Sequence, residues 1–553
     1  MPSAKIVEVA RVVVPATAAL PPGESSALLR LSALDAPWLL VPLIQRVLIY
    51  DGQLPPFASL VGSLRASLAA TLARFPPLAG RIVFLPSTGD AAIDCSGSEL
   101  DGGVRFLVAE MDEADAEKLA GDADHDVDTF QQLLPELATS PLPVEVLAVQ
   151  VTRLRGGVAI GVALHHAVVD GRALWMFLEA WAAACRGDAV AVEPTFDRAA
   201  IALPGGEELT RSTLRKYMPN LPQLSLGNIP TEAPVCPPMC PYVIEERRLV
   251  DDVARELNPR PAHQLLVVLG NAEPALRLAV AVTILIVEEA RRWREELGLL
   301  EQLHVQKVEV APRAPESPHD HNVAPFPAGP IVPRRTFTVA EERIGSLKQR
   351  IGQFIRPTHE SSAKAARPPS SFVAVTALAW VSYVQSKQHA AAISADQDVY
   401  LYFFFDIRGR RGIVPPVSES YFGTCVTGCL VKAKAGDLLA EDGIATAAAA
   451  VQGEVRRAVE DPLANWDWIA LAASTLSRDT ALVSISGSTR FPAYEVADFG
   501  WGPMGRTELV TMNSAGQVVL VAAKGGGGGV QASVCMHPDH MEAFDKHFTN
   551  SFD

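Results

Sequence analysis

The sequence predicts a mixed fold of helices and strands, α/β or α+β. The chain has 553 residues, which is too long for one hydrophobic core, so two domains of ordinary size plus additional material are expected. Helical and strand-like patterns alternate in both halves. Hydrophobic residues make up 48% and charged residues 20% of the chain, which supplies apolar material for large cores and argues against global disorder.

The first half alternates strand-like runs with one clear helical pattern. Strands are predicted at 5–14 and 45–50, and a helix over 58–75 that ends at two prolines. Strand-like runs at 144–154 and 157–164 then lead into HHAVVDGRALWMFLEAWAAAC, which passes from a strand through a loop into a helix. The histidine pair therefore lies at a strand end, where reactive side chains are commonly displayed.

A proline-rich stretch separates the two halves. CPPMCP and EVAPRAPESPHDHNVAPFPAGP flank one amphipathic stretch at 275–300, so we predict an insertion or linker at 222–333. This places an N-terminal domain at 1–221 and a C-terminal domain at 334–553. We expect the segment between them to be dispensable for fold and catalysis.

Regular patterns resume in the second half of the chain. Helices are predicted at 341–354 and 370–385, with further helices within 438–475. The predicted strands are 399–406, 481–486 and 518–523. The glycine run at 525–529 separates two strand-like runs and is not followed by Lys-Ser or Lys-Thr, so it predicts a hairpin tip rather than a phosphate-binding loop.

Charge and cysteine content restrict the partners and the compartment. A formal net charge of −15 would repel nucleic acid and anionic lipid surfaces, so neither a nucleic-acid nor a membrane partner is expected. The apolar run at 278–287 is far shorter than the roughly 20 residues needed to cross a bilayer. Seven sparse cysteines and an N-terminus unlike a signal peptide favour a reducing compartment and a cytoplasmic location.

His166 and Asp170 are the first candidates for chemistry. The unperturbed pKa of histidine, about 6.5, suits proton transfer at neutral pH, and a nearby carboxylate can fix the tautomer or the loop that presents the ring. The spacing of His166 and Asp170 alone is weak evidence for catalysis, because a His-Asp pair in an apolar run is more often structural than catalytic.

A second motif changes that balance. HHAVVDG at 165–171 and DFGWG at 498–502 together resemble the paired signatures of the plant BAHD acyltransferase family, in the same order and with the second near the C-terminus. Two residues depart from the family pattern, Thr424 where asparagine is usual and Thr489 where proline is common. Further segments are family-like, so the resemblance covers most of the chain outside 222–333: LRASLAATLARFPPLAGRI at 64–82, FDR at 196–198, RRTF at 334–337, DIRGR at 406–410 and YFGTC at 421–425.

The resemblance implies two chloramphenicol-acetyltransferase-like domains with an active-site channel between them. It also implies direct acyl transfer from acyl-CoA, with His166 as the general base and Asp170 mainly structural. His165 is expected to pack beside the base. The second motif should shape the channel and the domain contact, and it consists of Asp498, Phe499, Gly500, Trp501 and Gly502.

Some of these residues, and two pairs of cysteines, have alternative roles. The Trp501 indole N–H is a donor that could stabilise an oxyanion, and a packing role is an equal alternative. The pairs Cys236/Cys240 and Cys425/Cys429 are considered for zinc and interpreted as ordinary thiols, because neither has a nearby histidine pair. No metal and no bound cofactor is expected, with acyl-CoA as cosubstrate and a monomeric protein.

Within the family, the segment at 36–51 and YFGTCVTGC look most like the branch that acylates sugar hydroxyls of anthocyanins and other phenolic glucosides, often with malonyl-CoA. A malonyl carboxylate would be best met by an arginine, and Arg172, Arg490 and Arg506 lie near the motifs. One alternative is transfer of a hydroxycinnamoyl group to an alcohol or amine, which would favour an apolar pocket. Another is an inactive relative that acts as a binding protein, or a mispredicted gene product, because the interval from Gly171 to Arg334 is unusually long for the family.

Overall fold

Helices and strands alternate through the chain, which confirms the predicted mixed α/β class. The computed structural model describes residues 3–15, 27–121, 124–190, 193–198, 201, 203, 205–217, 332–354, 368–389, 392–476, 480–512 and 514–550, all within one structural unit. The predicted insertion at 222–333 lies outside the described residues except for its last two.

Sixteen strands are present in these described ranges. In chain order they are β1 (Lys5–Val12), β2 (Leu28–Arg30), β3 (Ile44–Asp51), β4 (Arg81–Leu85), β5 (Asp90–Asp94), β6 (Val104–Asp115), β7 (Val144–Glu145), β8 (Leu147–Arg155), β9 (Gly157–Leu164), β10 (Arg334–Val339), β11 (Asp398–Asp406), β12 (Val426–Lys434), β13 (Ala481–Gly487), β14 (Arg506–Leu509), β15 (Gln517–Ala522) and β16 (Val530–Cys535).

The α-helices within the same ranges are α1 (Phe57–Leu72), α2 (Gly97–Gly102), α3 (Ala116–Ala120), α4 (Val127–Gln132), α5 (Gly171–Arg186), α6 (Gly206–Tyr217), α7 (Glu341–Phe354), α8 (Ser371–His389), α9 (Ala435–Leu439), α10 (Gly443–Glu460), α11 (Trp468–Thr475), α12 (Ala493–Val496) and α13 (Pro538–Asn550). A 3₁₀ helix, Ala36–Leu40, precedes β3. Among the described residues, none of the helices combines the length and the apolar character that a membrane span requires.

The first six-stranded sheet has the order β1-β6-β8-β9-β3-β14. Its strand β9 is apolar and buried along almost its whole length, as expected for a central strand between β8 and β3. The amphipathic helices α1 and α5 pack together, and the Trp181 indole N–H donates to the Leu64 carbonyl oxygen at 3.2 Å. Helix α5 ends at Gly187, whose φ of 79° is the left-handed cap that glycine favours.

The second sheet has the order β10-β16-β15-β13-β11-β12 and packs with helices α7, α8, α10 and α13 around its own core. Strand β11 serves two cores, because alternate side chains of a strand point to opposite faces. Leu401 and Phe403 belong to the second core, whereas Tyr402 and Phe404 pack with the first. This face of β11 is where the two halves of the chain meet.

Strand β14 comes from the second half of the chain, yet it pairs antiparallel with β3 and completes the first sheet.

The glycine run at 525–529 joins the antiparallel strands β15 and β16, and Gly525 to Gly528 have positive φ values. The hairpin-tip interpretation of this run is therefore confirmed. The remaining sheet has four strands, in the order β2-β5-β4-β7.

Five described cysteines are free thiols. Cys425 and Cys429 are buried, and burial raises the pKa of both thiols, so neither is a thiolate near neutral pH. In the described part of the chain, no three His, Cys, Asp or Glu side chains are grouped as metal ligands. Cys236 and Cys240 lie outside the described residues.

Candidate active site

His166 lies in the short loop between β9 and α5. Strand β9 ends at Leu164, and Asp170 caps α5 by accepting a hydrogen bond from the Ala173 backbone N–H at 2.9 Å. The apolar strand and the helix cap together place His166 at an edge of the first core, as the sequence predicts. The residue is partly exposed, although its Nδ1 atom is buried.

The Asp170 carboxylate is fully engaged in holding this loop. Its Oδ2 accepts from Arg408 Nη1 at 2.8 Å and from the Cys425 backbone N–H at 3.0 Å, and the side chain is buried. Burial acts to lower the pKa of Arg408, but the charges of Asp170 and Asp406 outweigh it and keep the guanidinium protonated. Asp170 therefore fastens the loop to the second half of the chain.

The His166 imidazole stacks flat on Trp38, with ring centroids 3.8 Å apart and planes at 14°. Its Nδ1 has no hydrogen-bond partner in any other described residue. Burial lowers the pKa of His166 to about 4, against smaller opposing effects from its own backbone and from Asp170. The ring is therefore neutral at pH 7, which is the state that accepts a proton.

Aromatic side chains continue from Trp38 across the face of β11. Trp38 lies 4.9 Å, centroid to centroid, from both Phe404 and Trp468. The indole N–H groups of Trp38 and Trp468 are buried and without a hydrogen-bond partner among the described residues, as is the Tyr402 hydroxyl. This cluster, which comprises Trp38, Phe404 and Trp468, puts apolar surface and unused donors beside His166.

The neighbouring histidine has a different role. His165 is 2% exposed, and its Nε2 lies 3.1 Å from the Ala138 carbonyl oxygen, to which it donates. Burial also lowers the pKa of His165 to about 4. Its bond to the 138 carbonyl makes it a packing residue beside the candidate base.

The DFGWG motif lies at the other end of α5. Phe499 packs edge-on to Trp181 at 5.1 Å, and Trp501 lies 5.4 Å from Tyr50. Asp498 Oδ1 accepts from the Gly500 and Gly502 backbone N–H groups, and both glycines have positive φ. Arg186, the last residue of α5, donates to the Asp498 carbonyl oxygen.

This position bears on the oxyanion role considered for Trp501. A helix of 16 residues is about 24 Å long, and His166 precedes its first residue. The distance argues against Trp501 as an oxyanion donor and favours its packing role. The motif holds α5 against β3, and the chain then continues into β14.

The three arginines near the motifs have separate environments. Arg172 forms ion pairs with Asp406 at 3.1 Å and Glu419 at 2.6 Å. Arg506 is buried in a cluster with Glu508, away from His166. Arg490 is exposed, and it precedes Phe491, whose ring would lie 3.2 Å from a Cβ on Gly171.

Several residues of this site carry no sequence signal of their role. Trp38 is one of many aromatic residues in apolar context, and Asp35 and Arg198 form a buried ion pair between distant segments, at 3.3 Å. Thr424 and Arg408 occur in recognisable motifs, but their partners are 258 and 238 positions away along the chain.

The chain is similar to known proteins over nearly its whole length. The sequence model of the Transferase family matches residues 9–230 and 284–551, which leaves 231–283 outside the match. The chain is 26% identical over 539 residues to malonyl-CoA:anthocyanidin 5-O-glucoside-6''-O-malonyltransferase of Arabidopsis thaliana, covering 96% of this chain and 95% of the relative. It is 24% identical over 541 residues to coumaroyl-CoA:anthocyanidin 3-O-glucoside-6''-O-coumaroyltransferase 2 of the same plant, covering 94% and 92%.

Among solved structures, the chain resembles vinorine synthase with a TM-score of 0.58 and 20% sequence identity, covering 98% of this chain and 96% of that one. The fold and the relatives define the class of protein, an acyl-CoA-dependent acyltransferase. The chain belongs to the Transferase family, and the predicted BAHD resemblance is confirmed.

Proposed function

We propose that this enzyme transfers an acyl group, malonyl by preference, from acyl-CoA to a sugar hydroxyl of a phenolic or flavonoid glucoside. The observation that carries the proposal is the neutral imidazole of His166 at the end of β9, which is stacked on Trp38 and has a buried Nδ1 atom. The similarity to an anthocyanidin glucoside malonyltransferase supports the choice of donor and acceptor.

In the proposed mechanism, His166 accepts the proton of the acceptor hydroxyl as its oxygen attacks the thioester carbon. The carbonyl oxygen carries the negative charge of the tetrahedral intermediate. When the intermediate collapses, the C–S bond breaks and the imidazolium protonates the departing thiolate. A depressed pKa suits the last step, because a weakly basic imidazole returns its proton readily to the more basic thiolate.

The other motif residues support the site without taking part in bond making. Asp170 holds the loop, and Asp498, Phe499, Gly500, Trp501 and Gly502 hold α5 to the first sheet. The unpartnered indole N–H groups of Trp38 and Trp468 are available as donors to an oxygen of the acyl group. No covalent enzyme intermediate, metal or bound cofactor is needed in this mechanism.

A second candidate is transfer of a hydroxycinnamoyl group to an alcohol or amine. The aromatic cluster of Trp38, Phe404 and Trp468 favours it, because a planar aromatic acyl tail would pack well there. Arg172 is already paired with two carboxylates, which lessens its value for a malonyl carboxylate. The similarity to a coumaroyltransferase points the same way.

Donor competition tests the proposal directly. The purified enzyme would be offered malonyl-CoA and coumaroyl-CoA together with a panel of phenolic glucosides, and products would be identified by mass spectrometry alongside thiol release. The expected result is acceptor-dependent thiol release with a malonylated glucoside as main product. A coumaroylated product would select the second candidate. Absence of acceptor-dependent release with every donor and glucoside would refute both.

We also propose that the enzyme works as a monomer in the cytoplasm. The free state of Cys95, Cys185, Cys425, Cys429 and Cys535 supports a reducing compartment. Light scattering after size-exclusion chromatography tests the first point, with a mass near 59.1 kDa expected. Imaging of a tagged chain in plant cells tests the second.

A further inference from the structure

We propose that Asp35 is a positioning residue of this active site, whose single buried carboxylate fixes both groups that hold His166: the ring of Trp38 and the hydroxyl of Thr424. The inference rests on the proposed role of His166 as the base. It goes beyond that role by naming the residue that sets the orientation and the surroundings of the His166 ring.

The Asp35 carboxylate is completely buried and accepts from several donors. Oδ2 accepts from the Ser32 backbone N–H at 2.9 Å and from the Ser32 hydroxyl at 2.6 Å. Oδ1 accepts from the Thr424 backbone N–H at 2.9 Å. The Arg198 guanidinium supplies the balancing charge at 3.3 Å. A buried carboxylate with this many partners has little freedom to move.

One side of this arrangement controls the face of the imidazole. Asp35 immediately precedes the 3₁₀ helix Ala36–Leu40, and its carbonyl oxygen accepts from the Trp38 backbone N–H at 3.0 Å. Fixing Asp35 therefore fixes the start of that helix and the position of the Trp38 ring. That ring covers one face of His166 at 3.8 Å and shields it from water.

The other side controls the backbone that carries the imidazole. The Thr424 hydroxyl donates to the His166 carbonyl oxygen at 2.7 Å, and Arg198 Nη2 donates to the Val168 carbonyl oxygen at 3.4 Å. Asp35 contacts the same two residues through other atoms, the Thr424 backbone N–H and Arg198 Nε. The hydroxyl of Thr424, at the position where the family usually has asparagine, thus joins the two halves of the chain at the base.

This support matters because, among the described residues, no carboxylate is hydrogen-bonded to the ring. His166 Nδ1 has no partner in another described residue, and Asp170 is occupied by Arg408, the Cys425 N–H and the Ala173 N–H. The other charged groups facing the loop are paired as well, Asp35 with Arg198 and Asp406 with Arg172. Orientation must therefore come from packing and from the backbone. Burial lowers the pKa of the ring to about 4.

The test compares Asp35→Asn with Asp90→Asn by melting temperature and by the pH profile of kcat/KM. Asp90 is a matched control, because it is also buried and paired with an arginine, Arg211, at 2.7 Å, and it makes no contact with the site. Both variants should melt at lower temperature. Only Asp35→Asn should change the acid side of the profile.

The expected change follows from exposing the imidazole to water. Its pKa would return toward 6.5, so at pH 5.5 only about a tenth of the ring would be neutral. The wild-type enzyme should keep a level kcat/KM from pH 8 to pH 5.5, whereas Asp35→Asn should lose about tenfold over that interval. At pH 8, kcat should fall on the order of 10- to 100-fold with little change in KM for acyl-CoA, because the base is displaced while the donor site remains.

A second pair of variants covers the case in which Asp35→Asn does not fold. Thr424→Val removes the hydroxyl but keeps the N–H bond to Asp35, and Thr424→Ser restores the hydroxyl. We expect kcat to fall in Thr424→Val and to recover in Thr424→Ser. The inference is overturned if the acid limb of Asp35→Asn matches that of Asp90→Asn, or if Thr424→Val and Thr424→Ser have equal kcat. Failure of the base assignment itself would be seen separately, as turnover in His166→Ala.

Discussion

At the scale of single residues, two adjacent histidines have different roles, packing for His165 and proposed proton transfer for His166, although burial lowers the pKa of both. His165 donates to a backbone carbonyl and belongs to the packing. His166 stacks on Trp38 and has a ring nitrogen with no partner in another described residue. The difference lies in the hydrogen bonds, since burial lowers both pKa values to about 4 against smaller opposing effects.

His166→Ala should lower kcat by about 10²–10⁴-fold, the usual contribution of a general base. The fold and the affinity for CoA should remain, because the lost ring leaves the Asp170 network intact. Steady-state kinetics and calorimetric titration with CoA measure the two effects. His165→Ala is the matched control, and it should lower the melting temperature more than kcat because it leaves the Ala138 carbonyl unpaired. Near wild-type kcat in His166→Ala would refute the assignment.

At the scale of elements, helix α5 connects the two sequence motifs. Asp170 caps its first turn, and Arg186, its last residue, donates to the Asp498 carbonyl oxygen in the DFGWG motif. The position of the loop that carries His166 therefore depends on the contacts of the DFGWG motif with α5. Neither Asp170 nor the DFGWG motif needs to contact the reacting atoms for its loss to reduce activity.

Asp170→Asn should lower the melting temperature and kcat together. The change leaves Arg408 buried with one ion-pair partner fewer, and breaking a buried pair costs about 3–5 kcal/mol. Trp501→Ala should also lower both quantities, by less, since this ring is only partly buried. Thermal melts and kinetics on the same preparations measure the correlation. Abolished turnover with an unchanged melting curve would mean that these side chains take part in the chemistry.

At the scale of the whole molecule, β14 joins the second half of the chain to the first sheet. A buried ionic cluster stabilises this junction. Glu508 contacts Arg334 at 3.3 Å, Arg506 at 3.2 Å and His125 at 3.3 Å, and these residues come from three separate segments. Burial acts to raise the pKa of Glu508, but the nearby His125, Arg506 and Arg334 lower it to about 2.

Glu508→Gln should destabilise the protein by about 3–5 kcal/mol at pH 7, because it leaves two arginines buried without their carboxylate. The folded-state pKa of Glu508 lies below its unfolded value of 4.5. The stabilisation is therefore complete above pH 4.5 and is lost as pH falls toward 2. Denaturant melts of both proteins between pH 7 and pH 3 measure whether their difference shrinks.

Glu145→Gln provides the control for this cluster. Its ion pairs with Arg11 and Arg105 are partly exposed, so the loss should be only about 0–1 kcal/mol. An equal effect of the two substitutions would contradict the assignment of Glu508 as the main electrostatic link.

The last prediction at this scale is that the segment at 222–333 is dispensable for fold and catalysis. We expect that replacing residues 230–330 by a short Gly/Ser linker leaves kcat/KM and the melting temperature nearly unchanged, because loop-closure cost grows by only about 0.6 kcal/mol per doubling of length. A second variant replaces only 231–283, the part that the family match omits.

Soluble yield, melting temperature and kcat/KM of both linker variants would be compared with those of the full chain. Insoluble protein, or a loss above tenfold in kcat/KM, equivalent to about 1.4 kcal/mol, would show that the replaced residues belong to the working structure. A loss confined to the longer replacement would assign that role to the residues outside 231–283.

Local patterns in the sequence determine much of the secondary structure. The apolar run of β9, the helix α7 and the hairpin of β15 and β16 follow from periodicity and turn residues that lie within each segment. The pairing partner of each strand does not follow from such local patterns. The run at 144–154 reads as one strand, but the structure divides it into β7, which pairs with β4, and β8, which pairs with β6 and β9.

The residues of the candidate site likewise fall into two groups, those that local sequence motifs indicate and those that only tertiary contacts bring together. The sequence by itself points to His166 and Asp170, because HHAVVDG occurs together with DFGWG in the order typical of the BAHD family. Only the tertiary structure stacks Trp38 on the imidazole and brings the Thr424 hydroxyl to the His166 carbonyl oxygen. It joins Asp35 to the Thr424 backbone N–H across 389 positions of the chain. It also places β14 in the first sheet and Trp501 at the far end of α5. Side-chain periodicity records which face of an element is buried, but contacts between distant segments depend on how the sheets and helices pack.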